Sequence, residues 1–412
     1  MIHVVKQHPT GHVEAGNDTE FRGARDVLEQ EDVSADIERP RMPKLAMHAV
    51  RVLAVPLLLV GGVAGIISEA PTAAVAARTR PAGPAASFAI RGVLYGVAAT
   101  SARNAWAVGY TGTLAAPKTL IVRWNGTAWK RMPSPTPADG TLSGVAAVSA
   151  HSAWAVGYTP AGNPLIVRWN GTGWKRMPIP SDVGGILYGV AAVSAHSAWA
   201  VGTNGLGPLV LRWNGTAWQR VPSPGAANGF LVAVAAVSAG SAWAVGESDA
   251  NTLVLRWNGT AWKQVSSPAP AEGSILYGVD AISAHSAWAV GGADIKDLIV
   301  RWNGTGWKRV HSPDPAVQDV LNGVAAISAR SAWAVGDARH SASSVLTLIV
   351  RWNGQAWKQV PSPSPAGRDV LSGVDAISAR SAWAVGATFT GPFGSPGNAR
   401  TLIVHWNGTN WK

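Results

Sequence analysis

The sequence predicts an all-β fold, a seven-bladed β-propeller of four-stranded antiparallel blades, preceded by a disordered N-terminus and one hydrophobic segment. Three observations carry that expectation. A unit typified by residues 142–178, LSGVAAVSAHSAWAVG, a short loop and then LIVRWNGTGWKRMP, recurs seven times with little change. All 21 tryptophans fall on it, at three fixed positions per copy. Each copy holds four short β-like runs, and the 44 to 50 residues between copies match the period of a propeller blade, a unit that buries its faces only against its neighbours.

Three segments precede the repeats. Residues 1–41 are polar, with a helical pattern only around residues 19–32, and lack an apolar face large enough to fold alone, so disorder is expected. Residues 42–77 have the layout of a secretory signal: Arg39, Arg41, Lys44 and Arg51 surround its start, an apolar run spans 52–67, and Ala74 and Ala76 form an Ala-x-Ala cleavage site. The run is short for a membrane span and is weakened by Pro56. As a cleaved signal peptide or a retained signal anchor, it places the repeats outside the cytoplasm, secreted or anchored to the membrane. Met42 opens a complete signal by itself, so residues 1–41 read as an extension. Residues 78–91, beginning RTRPAGPAA, form a linker, and residues 92–412 the propeller.

Within the unit, GVAAVS is small and β-branched and suits the crowded inner strand beside the axis, strand A. SAWAVG alternates large and small side chains with period two, as a strand with two differently packed faces should, and is strand B. LIVRW is strand C. AWKRMP, with its bases and proline, suits the exposed outer strand D, because lysine and proline protect an edge from pairing. The Asn-Gly pair of WNGT predicts a tight hairpin between C and D. Six copies also read as the glycosylation pattern Asn-Gly-Thr, but Asn353-Gly354-Gln355 loses that pattern and keeps the turn. The last copy stops at Trp411-Lys412, so its strand D should be short, and residues 87–91 lie too close to the first strand A to replace it.

The SAWAVG tryptophans are expected to fill the gaps between blades. The second series, Trp124, Trp169, Trp213, Trp257, Trp302, Trp352 and Trp406, lies near a rim, each directly after Arg123, Arg168, Arg212, Arg256, Arg301, Arg351 or, in the last copy, His405. Exposed, these indoles and guanidiniums would form a multivalent lectin with one carbohydrate site per blade gap; buried, they would stack on one another.

Alternation of strands puts the A–B and C–D turns on one face, where they are short and constant, and the B–C and D–A connections on the other, where they vary. Variable loops on a rigid repeat scaffold are the expected home of a site. Near the axis on that face stand Tyr95, Tyr188, Tyr277 and Asn322, each before the strand A glycine, and Asp280 and Asp375 replace alanine two residues after it. These six are the candidate ligand-binding residues. Further candidate contacts lie on the longer B–C loops, Asp337, Arg339 and His340 in one and Phe389, Pro392, Phe393 and Pro396 in another. His151, His196 and His285 share a turn position with Arg330, Arg380 and Gly240, an interchange that argues against a metal site.

The absence of cysteine excludes disulfides, thiolate metal sites and a cysteine nucleophile. Residues 78–412 carry 27 basic and 13 acidic side chains. The excess favours anionic partners, but the bases are dispersed one or two per repeat and no nucleic-acid motif accompanies them, so no nucleic-acid partner is expected. The expected partner is a cell-envelope polymer, a glycan or a protein, and the chain is expected to be a monomer.

The SAWAVG and WNGTAW strings resemble those of secreted bacterial propeller-repeat proteins described as kelch-like or galactose-oxidase-like, over about four-fifths of the chain. The resemblance implies the architecture. Galactose-oxidase-like chemistry would need the cysteine of a thioether-linked tyrosine radical, which this chain lacks; the sialidase Asp box, a phosphate loop and an H-E-x-x-H site are absent too. The expected function is non-catalytic binding or scaffolding without a cofactor or metal, with the lectin as the alternative and a hydrolase or lyase of unrecognised motif as the second alternative.

Overall fold

The computed structural model describes residues 90–135, 139–225, 227–341, 343–391 and 398–412. The N-terminal extension, the signal segment, nearly all of the linker, Pro392, Phe393 and Pro396 lie outside these residues. Among the described residues there is no α-helix, and the strands form seven antiparallel sheets in simple meander order. Blade 1 sets the pattern: strand A is Val93–Ser101, B Asn104–Gly112, C Pro117–Trp124 and D Trp129–Arg131. Blades 2 to 7 begin at Thr141, Ile186, Phe230, Ile275, Gln318 and Asp369.

The alternation in SAWAVG becomes the packing rule of the ring. One face of strand B presents the large side chains, and the other presents the alanines. Trp106, Val108 and Ile121 of blade 1 therefore fit against Ala153, Ala155, Leu165 and Val167 of blade 2, and these residues are fully buried. Large against small lets adjacent sheets close without voids. Each strand B tryptophan ends up in the core of the next blade. Trp199 lies 4.9 Å from Trp257, tilted at 58°, and 5.1 Å from Trp262, edge-on at 81°. The same triad closes the ring, with Trp383 at 5.1 Å from both Trp124 and Trp129.

The glycine that ends SAWAVG has a cause that periodicity alone does not reveal. Strand A bulges against strand B between Leu187 and Gly189, so that the strand A carbonyl lies over this position, and a Cβ on Gly202 would sit 1.9 Å from the Ile186 oxygen. Strand A contains a second glycine at a close approach in six blades, with Ala233 in its place in blade 4. A Cβ on Gly144 would meet the Tyr188 carbonyl of the next blade at 2.8 Å, and one on Gly373 would meet that of Tyr95 at 2.7 Å. The seven inner strands thus approach backbone to backbone around the axis.

The C–D hairpin spans four residues. Its glycine takes a positive φ, +102° at Gly215, while Asn214 contributes its side chain: Oδ1 accepts from the Thr216 and Ala217 amides, both at 2.9 Å, and from the Thr216 hydroxyl at 2.8 Å. The last blade has three strands and, in place of a fourth, one bridge between Trp406 and Trp411, in line with the expected short strand D. The segment before strand A of blade 1 contributes more than the sequence suggests. The Gly92 amide donates to the Ala399 carbonyl at 3.0 Å and the Thr401 amide to the Ile90 carbonyl at 2.9 Å. Gly140 makes the same type of bond to Pro117 across a covalent connection, so the seam copies the other blade junctions.

Candidate functional site

Strand A of every blade reaches the axis with the triplet that includes its glycine, or Ala233 in blade 4. Together the triplets enclose a cavity of about 240 Å³ at the variable-loop end. Tyr95, Tyr188, Tyr277 and Asn322 line it, with Ser143, Val232 and Ser372 at the equivalent positions and Tyr158 entering from a strand B. Tyr110 stacks on Tyr95 with centroids 5.9 Å apart. All five tyrosines of the chain therefore gather at one end of the axis. Burial raises the pKa of each phenol, so all five are neutral, including the four that line the cavity. The cavity lining holds no lysine, arginine, histidine or carboxylate.

Asn322 is held by both protons of its amide, which donate to Asp337 Oδ1 at 3.2 Å and to the Leu371 carbonyl at 2.9 Å. Its own oxygen and the Tyr188 hydroxyl are buried polar atoms without a hydrogen-bond partner among the described residues. Burial pushes the Asp337 carboxyl up to about 7, against the opposing pull of its hydrogen bond from Asn322.

Asp280 and Asp375 do not join this cluster. Their oxygens are committed to backbone amides, one in the same strand and one in the next blade. Asp375 Oδ2 accepts from the Ala99 amide at 2.6 Å and Oδ1 from Ala376 at 2.8 Å; Asp280 binds Ala326 and Ala281 at 2.7 and 2.8 Å. Each carboxylate staples neighbouring inner strands. Burial nevertheless raises the Asp375 pKa to about 6 and that of Asp280 in the same direction. Phe389 also departs from expectation: it is buried with Val93, Tyr110 and Val370 and supports the blade 7 to blade 1 junction.

The second tryptophan series is not available for stacking on sugars. Trp169, Trp213, Trp257, Trp302 and Trp352 are buried; Trp124 is half-buried and already packs on Trp383. Their indole N–H groups donate to A–B turn carbonyls, as from Trp213 to Ala195 at 3.2 Å. The arginines fill the remaining faces. The Arg168 guanidinium lies 4.8 Å from the Trp154 ring and 5.6 Å from Trp213, and donates to Ala195 O at 3.1 Å. Arg123, Arg212, Arg256, Arg301 and Arg351 occupy equivalent sandwiches. Of the two readings the sequence left open, exposure and stacking, the second holds: the strand B tryptophan and the arginine of the preceding blade cover these rings.

The geometry defines the class: a closed seven-bladed propeller with a tyrosine-lined axial cavity. No family model matches the chain, and no curated protein matches it. Its fold is shared with solved structures of low sequence identity. The YCF48 protein bound to D1 peptide aligns with a TM-score of 0.52 at 16% identity, over 76% of this chain and 96% of that one. Virginiamycin B lyase from Staphylococcus aureus gives 0.54 at 16%, over 76% and 94%. The WD40 repeats of RRP9 give 0.54 at 12%, over 78% and 98%. Proteins this different share an architecture, and that architecture serves unrelated activities.

Proposed function

We propose that the chain is a non-catalytic binding propeller, exported across the cytoplasmic membrane, which takes an extended segment of a partner protein on its variable-loop face over the axial cavity. The convergence of four of the five tyrosines on that cavity, with the fifth stacked behind Tyr95, carries the reading. Aromatic rings with a few polar groups in a concave setting are the usual composition of a ligand site. The surrounding loops add exposed apolar tips at Leu114, Leu206, Ile295 and Val317, which suit a protein surface better than a sugar. A propeller of this architecture accommodates a peptide in the YCF48 complex, which supports the mode without identifying the partner. Export rests on the layout of residues 42–77 and on the likeness of the repeat strings to secreted kelch-like proteins.

Cavity filling tests this reading. Tyrosine already occupies the position in three blades, so Ser143→Tyr with Ser372→Tyr should respect the fold while closing the space. Peptides selected against the wild-type chain from a random 12-residue display library should bind the double variant at least tenfold more weakly, with Tm unchanged. Undiminished peptide binding would remove the cavity from the site, and enrichment on a glycan array instead of the peptide library would restore the lectin. Protease treatment of intact expressing cells should degrade the repeats of an anchored form, and the culture medium should contain a cleaved one.

A further inference from the structure

Residues spaced one or two per repeat along the chain stand at equal heights in the ring, so bases that look dispersed in sequence are gathered in space. Strand D is the outermost strand of its blade, and it carries Lys130 and Arg131, Lys175 and Arg176, or Lys308 and Arg309. These side chains are exposed, and every other blade keeps at least one cation at the same level, down to Lys412 in the last. The A–B turns add exposed Arg103, Arg330 and Arg380 to the constant face.

Carboxylates are distributed the other way. Among the described residues they lie on B–C and D–A connections or on the strand ends beside them, apart from Asp280 and Asp375, which are taken by backbone amides. No strand D cation is in a salt bridge among the described residues, whereas the Lys296–Asp314 pair belongs to the variable-loop face. Among the described residues the exposed large apolar side chains, Leu114, Leu206, Ile295 and Val317, also lie on that face. Arg309 lies close enough to Asp297 to oppose the rise that burial gives its carboxyl; the other cations of the constant face and rim form no salt bridge among the described residues, and no exposed large apolar residue lies beside them there.

We propose that the rim and constant face are a docking surface for a flexible linear polymer of phosphate charges. Lysine supplies point charges and arginine a fork that matches phosphate oxygens. Curvature selects the form of the polymer. The strand D cations lie exposed at the outer edge of each blade around a closed ring, so a flat bilayer laid on the constant face meets the turn arginines first, and a stiff duplex can meet only one sector of the rim. A flexible chain can follow successive blades. This inference is independent of the peptide site, which occupies the opposite face.

The test uses the full chain and long-chain inorganic polyphosphate. Lys130→Gln, Arg131→Gln, Lys175→Gln, Arg176→Gln, Lys308→Gln and Arg309→Gln are combined in one variant, with precedent in the natural Gln219, Gln264 and Gln359 at these positions. Wild type should bind with a steep salt dependence. The variant should lose at least tenfold in affinity and about 4 in the slope of log K against log salt, at roughly 0.7 per phosphate contact, with an unchanged Tm. Lys118→Gln with Arg339→Gln, on the opposite face, should bind as wild type does. Should the sixfold variant unfold, Arg330→Gly with Arg380→Gly, which copies the natural Gly240 of blade 4, should still weaken binding. Equal binding by the sixfold variant would overturn the proposal. So would equal loss in the opposite-face control, equal affinity for a DNA duplex of matched charge, or a preference for phosphatidylglycerol vesicles over polyphosphate.

Discussion

Trp199→Ala separates a structural tryptophan from a ligand-binding one. The indole is fully buried, packs on Trp257 and Trp262 at 4.9 and 5.1 Å, and has the Arg212 guanidinium 5.2 Å from its ring. A buried side chain of this kind removes roughly 150–250 Å² from water, worth about 4–6 kcal/mol at ~25 cal/mol per Å². Truncations of such residues cost about 3–5 kcal/mol when the cavity partly relaxes. The lost edge-on contact and the uncovered guanidinium face act in the same direction, so about 4–6 kcal/mol is the working figure. At ~2.1 cal/mol/K per residue over roughly 310 residues, the unfolding entropy is near 0.7 kcal/mol/K, and Tm should fall by about 6–9 °C. Scanning calorimetry would measure it, with Leu206→Ala at an exposed loop tip as a control that should shift Tm by less than ~1 °C. A fall of under 2 °C for Trp199→Ala would refute the inter-blade core, and loss of sugar binding at unchanged Tm would do so in favour of a lectin.

Two further outcomes follow from the geometry. Gly202→Ala, whose Cβ would meet the Ile186 carbonyl at 1.9 Å, should abolish soluble folded protein, whereas Gly184→Ala, with no atom within 4 Å, should leave solubility and Tm unchanged; a folded Gly202→Ala would refute the close approach of strand A. Burial raises Asp337 to about 7 and Asp375 to about 6, above the ~3.9 of an unfolded aspartate, so the folded state holds extra protons between these values. Stability should therefore be fully present at the acid end and decline as pH rises from about 4 to about 7. His405, lowered by burial, works weakly the other way as pH falls through ~6.5. Asp297 and Asp319 are raised to about 6 and about 7 by burial and act in the same direction as Asp337 and Asp375. Tm should be higher at pH 5 than at pH 8, and Asp337→Asn should reduce the difference; a Tm that falls steadily from pH 8 to pH 5 would contradict the burial of these carboxyls.

The blades were legible because each strand announces itself: the alternation of SAWAVG, the aliphatic run before RWNG and the Asn-Gly hairpin are local signals that the ring preserves. The axial tyrosines were legible for the same reason, since a residue before the strand A glycine must face the axis. What required the structure was anything that crosses between repeats. That Trp199 belongs to the core of the next blade is not visible in its own repeat, and neither is the cover this gives Trp257. Asp375 and Tyr95 both mark strand A, yet a small difference in height puts one carboxylate on the Ala99 amide of blade 1 and leaves the phenol at the cavity. The bonds from Ile90 and Gly92 to blade 7 join segments some 310 residues apart, a pairing no local pattern announces.

The tryptophan triads also make the ring an optical object. In the six triads from Trp106 to Trp333, the strand B indole meets its neighbours at 55 to 58° and at 81 to 85°, always in the same sense around the axis. Electronic transitions on rings about 5 Å apart couple, and a repeated chiral arrangement makes their rotational strengths add instead of cancelling. The intact ring should therefore show its own circular-dichroism couplet in the indole bands, and excitation should pass among the three rings of a triad before it is emitted. Loss of one triad would remove a fixed fraction of that signal, so the opening of a single blade junction can be followed without a label.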